Sequence, residues 1–366
     1  MLVRFAVKNY RGFADRIEFD LSHPNNYSFN IFAIRDGVVK NGILYGPNGC
    51  GKTNFSLAIF DIVNHLSQKW KKIDYYTNFV NAGNSDKSVC FEYTFKFGDI
   101  TLFYAYSKDA KGGLLTEKLA VNNSVVFDKK SDGLDIDKSQ FPIDGKVLGS
   151  LASNANQVSI VNYLLTSFPL SHEHYLIRLK DFVNSMLWFR CLDTREFIGL
   201  DTSVTNLEEY IISKGLVRDF HDFLKSVSGQ DFDFVEPSSG DKQIFCRYGN
   251  GTVPFFQIAS TGTMSLQLLY YWIKQMDGAS FVFIDEFDAF YHFRLSYEVC
   301  KLLFKLDCQV FTSSHNTYLM TNDLLRPDCN FIIGENKIKP LNECTDKELR
   351  FGHNIEKMFR GNAFSL

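Results

Sequence analysis

What this 366-residue sequence lacks excludes several classes of protein. No apolar run approaches the ~20 residues that cross a membrane, and no leader-like segment is visible. The expectation is a cytoplasmic protein with no membrane partner. The 8 cysteines are scattered and none forms C-x-x-C, so no zinc site shows by spacing. Cys50 sits in a Gly-rich turn where a disulfide would be disruptive, and several others lie in apolar segments, as free buried thiols do. Reduced cysteines fit the cytoplasm. Neither charge is in excess: the net charge of −3 gives no electrostatic footprint for nucleic acid, and Lys69, Lys71 and Lys72 read as a solvated helix face. No heptad is sustained, which excludes long coiled-coil arms. Internal repeats, low-complexity segments and long linkers are absent too.

What remains is an ordinary globular balance, 45% hydrophobic and 22% charged, with 36 Phe against 8 Pro. That points to a large aromatic core, in one large α/β domain or two small ones. Within it, Gly46-Pro47-Asn48-Gly49-Cys50-Gly51-Lys52-Thr53 fits G-x-x-x-x-G-K-[ST], the phosphate-binding P-loop. Residues 38–45 before it read as a buried strand and residues 54–63 after it have helical spacing. Glycines let backbone N–H groups turn inward around a phosphate, and the helix N-terminus adds partial positive charge. Lys52 can reach the β- and γ-phosphates, and the Thr53 hydroxyl can ligate Mg²⁺.

Three later segments fit a second half of the same site. Phe281-Val282-Phe283-Ile284-Asp285-Glu286 has the form of a Walker B strand, which delivers carboxylates at its C-terminal edge. Asp285 would hold Mg²⁺, directly or through water, and Glu286 would act as general base. Ala259-Ser260-Thr261-Gly262-Thr263 precedes an apolar helix; its hydroxyls, its glycine and the helix N-terminus suit an anion. Gln309 to Ser314 reads as a buried strand delivering His315 where a γ-phosphate sensor belongs.

Elsewhere, residues 2–10 and 16–21 read as two strands joined through Arg11-Gly12-Phe13. Residues 89–97, 101–107 and 125–128 read as an antiparallel sheet beside the nucleotide core. From Gly149 to Ser228 the period is helical, including a helix over residues 176–187, and short strands return over residues 232–256. A last helix is expected over residues 347–359. The division that follows is 1–148 (P-loop and antiparallel insert), 149–230 (helical lobe), 231–345 (signature, Walker B and switch His) and 346–366 (C-terminal helix).

With these residues in hand, the chain resembles the ABC-type ATPases of the SMC and RecF kind. Within them it looks like the OLD-like AAA ATPase branch of bacterial abortive-infection and antiphage systems. The resemblance runs nearly end to end: Asn9-Tyr10-Arg11-Gly12-Phe13, the P-loop, the insert, Ser260-Thr261-Gly262-Thr263 as signature, Asp285-Glu286-Phe287-Asp288 as Walker B with D-loop, and Ser314-His315-Asn316. It implies an α/β ABC-ATPase core with an antiparallel β subdomain and an inserted helical lobe. It also implies ATP and Mg²⁺ as cofactors. Arg11, Asn48, Gly49, Cys50, Gly51, Lys52, Thr53, Asn54, Ser260, Thr261 and Gly262 would contact the nucleotide, Thr53 and Asp285 the metal, and Glu286 and His315 would be catalytic. In this class the signature serine of one subunit closes on the γ-phosphate held by the other, so an ATP-bridged dimer or higher homo-oligomer is expected, with slow hydrolysis.

The sequence departs from that pattern in two places. Thr261 and Thr263 stand where the SMC signature has a glycine and an acidic or Gln residue. No Q-loop glutamine can be placed, since Gln68 comes too early and Gln140 too late; Asn78 is the substitute candidate. Roughly fifty residues follow His315, too few for the nuclease domain that OLD proteins carry. Asp201, Glu208 and Glu209 read as a solvated face, not a two-metal site, and His172 with His174 as a helix start. The damaging step is therefore expected in a separately encoded effector, as in PARIS-like or Septu-like pairs, with a phage-encoded trigger. The alternatives are a RecF-like ATPase gripping DNA and, weakest, a transporter nucleotide-binding subunit.

Overall fold

Two seven-stranded sheets with the P-loop helix between them form the frame of the computed structural model. It describes residues 1–67, 69, 73–153, 158–190, 196–199, 204, 206–238, 240–334 and 336–366. The first sheet is antiparallel throughout, in the order Gly133–Ile136, Ser124–Lys130, Leu114–Val121, Ile100–Lys108, Val89–Phe97, Leu2–Lys8, Ile17–Asp20. Its strands alternate as a half-buried sheet must. Phe91, Tyr93 and Phe95 point to one face, fully buried, and Tyr93 stacks on Phe95 at 5.9 Å. The abundance of phenylalanine does build a core: Phe5 and Phe19 meet Phe55 of the P-loop helix edge-on at 5.7 and 5.5 Å.

The second sheet runs Phe197–Ile198, Leu187–Arg190, Phe281–Asp285, Gln309–Ser314, Asn41–Tyr45, Asn330–Gly334, Lys337–Pro340. Its five inner strands are parallel and its two edges antiparallel. Parallel strands covered on both faces are continuously apolar, which is why Asn41–Tyr45 and Phe281–Asp285 are buried at every position. Gly42 is required there, because a Cβ would lie 2.7 Å from the Phe311 ring. The Gln309 side chain ties the two sheets: it accepts from Leu2 N (2.6 Å) and donates to Leu2 O (2.9 Å). In register, Ser314 lies beside Tyr45, and Arg190 beside Asp285. The C-terminal ends of these strands therefore share one rim.

Several sequence expectations are corrected. Residues 38–45 are not one strand: Val38–Val39 pairs with Ile34–Arg35, and Asn41–Tyr45 enters the core sheet. Leu114–Val121, unpredicted, is a full strand. The region 149–228 is not helical throughout. The helix over Tyr175–Asn184 stops at Ser185, whose hydroxyl bonds back to Asp181 O (2.7 Å), and Leu187–Arg190 becomes a strand of the parallel sheet. The final helix is Ile355–Arg360, starting at Asn354, which accepts from Lys357 N (2.8 Å). Glu208 is buried and accepts from Ile244 N (2.6 Å), so it belongs to no solvated face. His174 Nδ1 accepts from Leu176 N (3.2 Å) as the start of a helix. Asp201, Gln68, Lys71, Lys72 and Cys191 lie outside the described residues; the other cysteines are free. No helix among the described residues is long and apolar enough to cross a membrane.

Behind the P-loop helix, Lys108 donates to Asp61 Oδ1 (2.6 Å) and to the Tyr76 hydroxyl (2.8 Å), and the Tyr106 hydroxyl donates to the same carboxylate oxygen (2.7 Å). The two charged side chains are 3% and 0% exposed. Burial lowers the Lys108 pKa despite Asp61. Lys108→Ala leaves a buried carboxylate without its cation and should cost about 3–5 kcal/mol in urea unfolding. The double variant Asp61→Leu/Lys108→Met should lose much less, because no buried charge is stranded.

Candidate nucleotide-binding site

The P-loop forms where a parallel strand must turn sharply into a helix. Gly49 and Gly51 take positive φ (79° and 99°), and a Cβ on Gly51 would meet the Phe13 ring at 2.6 Å. The helix then runs Lys52–Ile59. Lys52, only 5% exposed, donates to Gly46 O (2.8 Å) and Pro47 O (3.1 Å), which folds its ammonium over the loop. Burial lowers its pKa, against Asp285 and Glu286, which act to raise it. Arg11 joins from the turn that follows the Leu2–Lys8 strand: its guanidinium donates to Asn54 Oδ1 (3.0 Å) and lies 5.4 Å from the Tyr10 ring and 5.5 Å from Tyr75.

Thr53 Oγ1 donates to Asp285 Oδ2 at 2.8 Å, so the first helical turn and the end of the Phe281–Asp285 strand meet. Asp285 is fully buried, and its other oxygen accepts from Ser313 Oγ (2.6 Å). Two converging hard oxygen donors, one of them a carboxylate, are a set that suits Mg²⁺. Glu286 follows in the left-handed region, φ 50°, its N–H donating to Ser313 Oγ (2.8 Å). A glutamate in that conformation is uncommon and holds its side chain off the strand line. His315 comes from the neighbouring strand. Burial and the adjacent Lys52 lower its pKa, while Glu286, Asp285 and a backbone hydrogen bond with Gly46 work the other way. The structure thus gathers Lys52, Thr53, Asp285, Glu286 and His315 on one rim. Asp288 is half-buried and accepts from Ser314 Oγ (2.8 Å); desolvation raises its pKa.

The segment read as the signature opens a helix of its own. Ser260 caps the helix Thr261–Gln275, accepting from Thr263 N (3.2 Å) and sharing a hydrogen bond with Thr263 Oγ1 (2.8 Å). Ser260 and Thr261 are exposed. Among the described residues no hydrogen bond or ion pair joins residues 260–262 to the P-loop. Asn78 is exposed beside Arg11, on the segment whose Phe79 O accepts from Arg11 N (2.7 Å), and makes no hydrogen bond to the P-loop among the described residues.

Sequence reasoning missed Arg190, the last residue of the Leu187–Arg190 strand. Its Nε donates to Asp285 Oδ2 (2.9 Å), Nη2 to Thr53 Oγ1 (3.0 Å) and Nη1 to Glu196 Oε2 (3.1 Å). Burial acts to lower its pKa; the charge and hydrogen bond of Asp285 prevail and raise it. Two residues earlier, Trp188 Nε1 donates to Ser56 Oγ (2.9 Å) on the P-loop helix. The run Trp188-Phe189-Arg190, apolar and then basic after a helix-ending serine, was the signal available.

A P-loop between a parallel sheet and an antiparallel one, with an acidic strand end meeting its threonine, defines a P-loop ATPase core of mixed α/β class. The chain belongs to the family described as "AAA domain, putative AbiEii toxin, Type IV TA system", matched over residues 43–321. That span holds every candidate site residue except Arg11. Solved structures similar to it include an Smc head bound to the C-winged helix domain of ScpA, at 14% identity and TM-score 0.47, covering 92% of this chain and 96% of that one. The SMC head domain from Thermotoga maritima (14%, 0.46, 93% and 98%) is another. A third is an Smc head with an extended coiled coil bound to the C-terminal domain of ScpA, derived from Pyrococcus furiosus (11%, 0.45, 93% and 97%). No curated protein matches.

Proposed function

We propose that this chain is a cytoplasmic ATPase that binds ATP with Mg²⁺, oligomerises around it, hydrolyses it slowly, and controls a separately encoded effector in bacterial antiphage defence. The observation that carries the assembly reading is the division of the site. One half is gathered on a single rim, while Ser260 and Thr261 present a capped helix start to solvent, with no hydrogen bond or ion pair to that rim among the described residues. A second copy can supply that helix start to the γ-phosphate. Binding ATP then favours the closed assembly through differential affinity, and cleavage releases it. Thr53 and Asp285 would hold the metal, which neutralises phosphate charge. Lys52 would bind the phosphates, Glu286 accept the proton of the attacking water, and His315 sense the γ-phosphate. The family's description, which names an AbiEii toxin and a type IV toxin–antitoxin system, supports a role in abortive infection.

Ser260→Arg tests the assembly. The variant should bind ATP within about twofold of the parent, yet stay protomeric in sedimentation with Mg-ATP and lose ATP turnover, because a bulky cation replaces a cap worth only ~1 kcal/mol. Assembly of the variant equal to the parent would count against a shared site. For the effector, the expected result is a stoichiometric partner co-purifying from the native host. Salt-dependent duplex binding by the ATP form would point to DNA maintenance instead.

A further inference from the structure

The two oxygens that suit Mg²⁺ are the two that the Arg190 fork bridges. Asp285 Oδ2 already accepts from Thr53 Oγ1 (2.8 Å) and Arg190 Nε (2.9 Å), and Asp285 Oδ1 from Ser313 (2.6 Å). Thr53 Oγ1 gives its proton to Asp285 and accepts from Arg190 Nη2 (3.0 Å). A divalent ion needs the same lone pairs at about 2.0–2.1 Å. Guanidinium and metal cannot both hold them, since they are like charges competing for one set of donors.

We propose that Arg190 is a built-in competitor for the metal site, holding Thr53 and Asp285 together until a divalent ion displaces it. This inference rests on the reading of Thr53 and Asp285 as metal ligands. The displaced side chain has a retaining partner: Nη1 is already on Glu196 Oε2, itself 45% exposed. It also has a platform, the Trp188 ring 5.7 Å from its guanidinium carbon. Trp188 is pinned to the P-loop helix through Ser56, whose Oγ in turn donates to Thr53 O (2.9 Å). Metal arrival is thereby coupled to the end of the Leu187–Arg190 strand, a route from the nucleotide to the edge of the sheet.

The test is Mn²⁺ titration followed by electron paramagnetic resonance, with the protein saturated by a non-hydrolysable ATP analogue, which reads metal affinity without turnover. Arg190→Gln should tighten Mn²⁺ by about tenfold, the factor expected when a competitor that holds the site nine-tenths of the time is removed. Arg190→Lys keeps the charge but cannot span both oxygens, and should tighten it by about threefold. It decides the matter alone if circular dichroism shows the Gln variant unfolded. Unchanged or weaker Mn²⁺ affinity in the folded variants overturns the proposal, and weaker affinity would make Arg190 a helper of the nucleotide. A parent protein that binds no analogue at all removes the site reading itself, and this inference with it.

Discussion

Glu286→Gln should retain ATP, cleave it ~10²–10⁴-fold more slowly, and accumulate as the assembled form. The substitution is nearly isosteric. The strained backbone at φ 50° and the N–H donated to Ser313 Oγ do not depend on the side-chain charge, so the rim stays as it is. What disappears is a carboxylate able to accept the proton of an attacking water. If ATP holds two copies together and cleavage parts them, blocking cleavage moves the population to the assembly. Single-turnover phosphate release measures the first effect and sedimentation with and without ATP the second. Equal mass under both conditions would sink the assembly switch while leaving the ATPase reading standing.

Lys52→Ala should abolish nucleotide binding in the working range. Its ammonium is pre-placed over the loop by two carbonyls at 2.8 and 3.1 Å, so little ordering remains when a phosphate arrives. Charge-assisted hydrogen bonds contribute roughly 1.5–3 kcal/mol each, and losing two should weaken ATP by about 10² or more. Fluorescence anisotropy of a labelled ATP analogue reads this directly; affinity within threefold of the parent would remove Lys52 from the phosphate site. Any assembly or effector capture that survives the substitution would be independent of nucleotide.

The contrast between Lys52 and Arg190 shows what was legible in the sequence. Lys52 sits in a contiguous motif whose spacing is dictated by the loop itself, Asp285 ends an apolar run that reads as a buried strand, and His315 follows a short segment that reads as another. Arg190 has no such frame. The apolar spacing of the preceding helix runs on into Leu187, and the helix ends where the Ser185 hydroxyl turns back to Asp181 O and its carbonyl accepts from Ser280 N, far along the chain. Glu117 is a second case. In sequence it is one polar residue in a mixed run. In the fold it is fully buried, accepting from Tyr104, Ser159 and Ile160 N at 2.8, 2.7 and 2.6 Å, and so caps a helix more than forty residues away.

The sequence by itself determined the turn of the P-loop, the acidic strand end, the strand that delivers His315 and the aromatic core. Each is set by local chemistry: backbone freedom at glycine, burial of apolar runs, and the period of a strand or helix. The tertiary structure alone decided the rest. It put Thr53 against Asp285, set Arg190 beside both through the register of a strand read as helix, and placed the Glu117 carboxylate at the start of the Ile160–Ser167 helix. Those are facts about distance between segments far apart in the chain, and no local pattern encodes them.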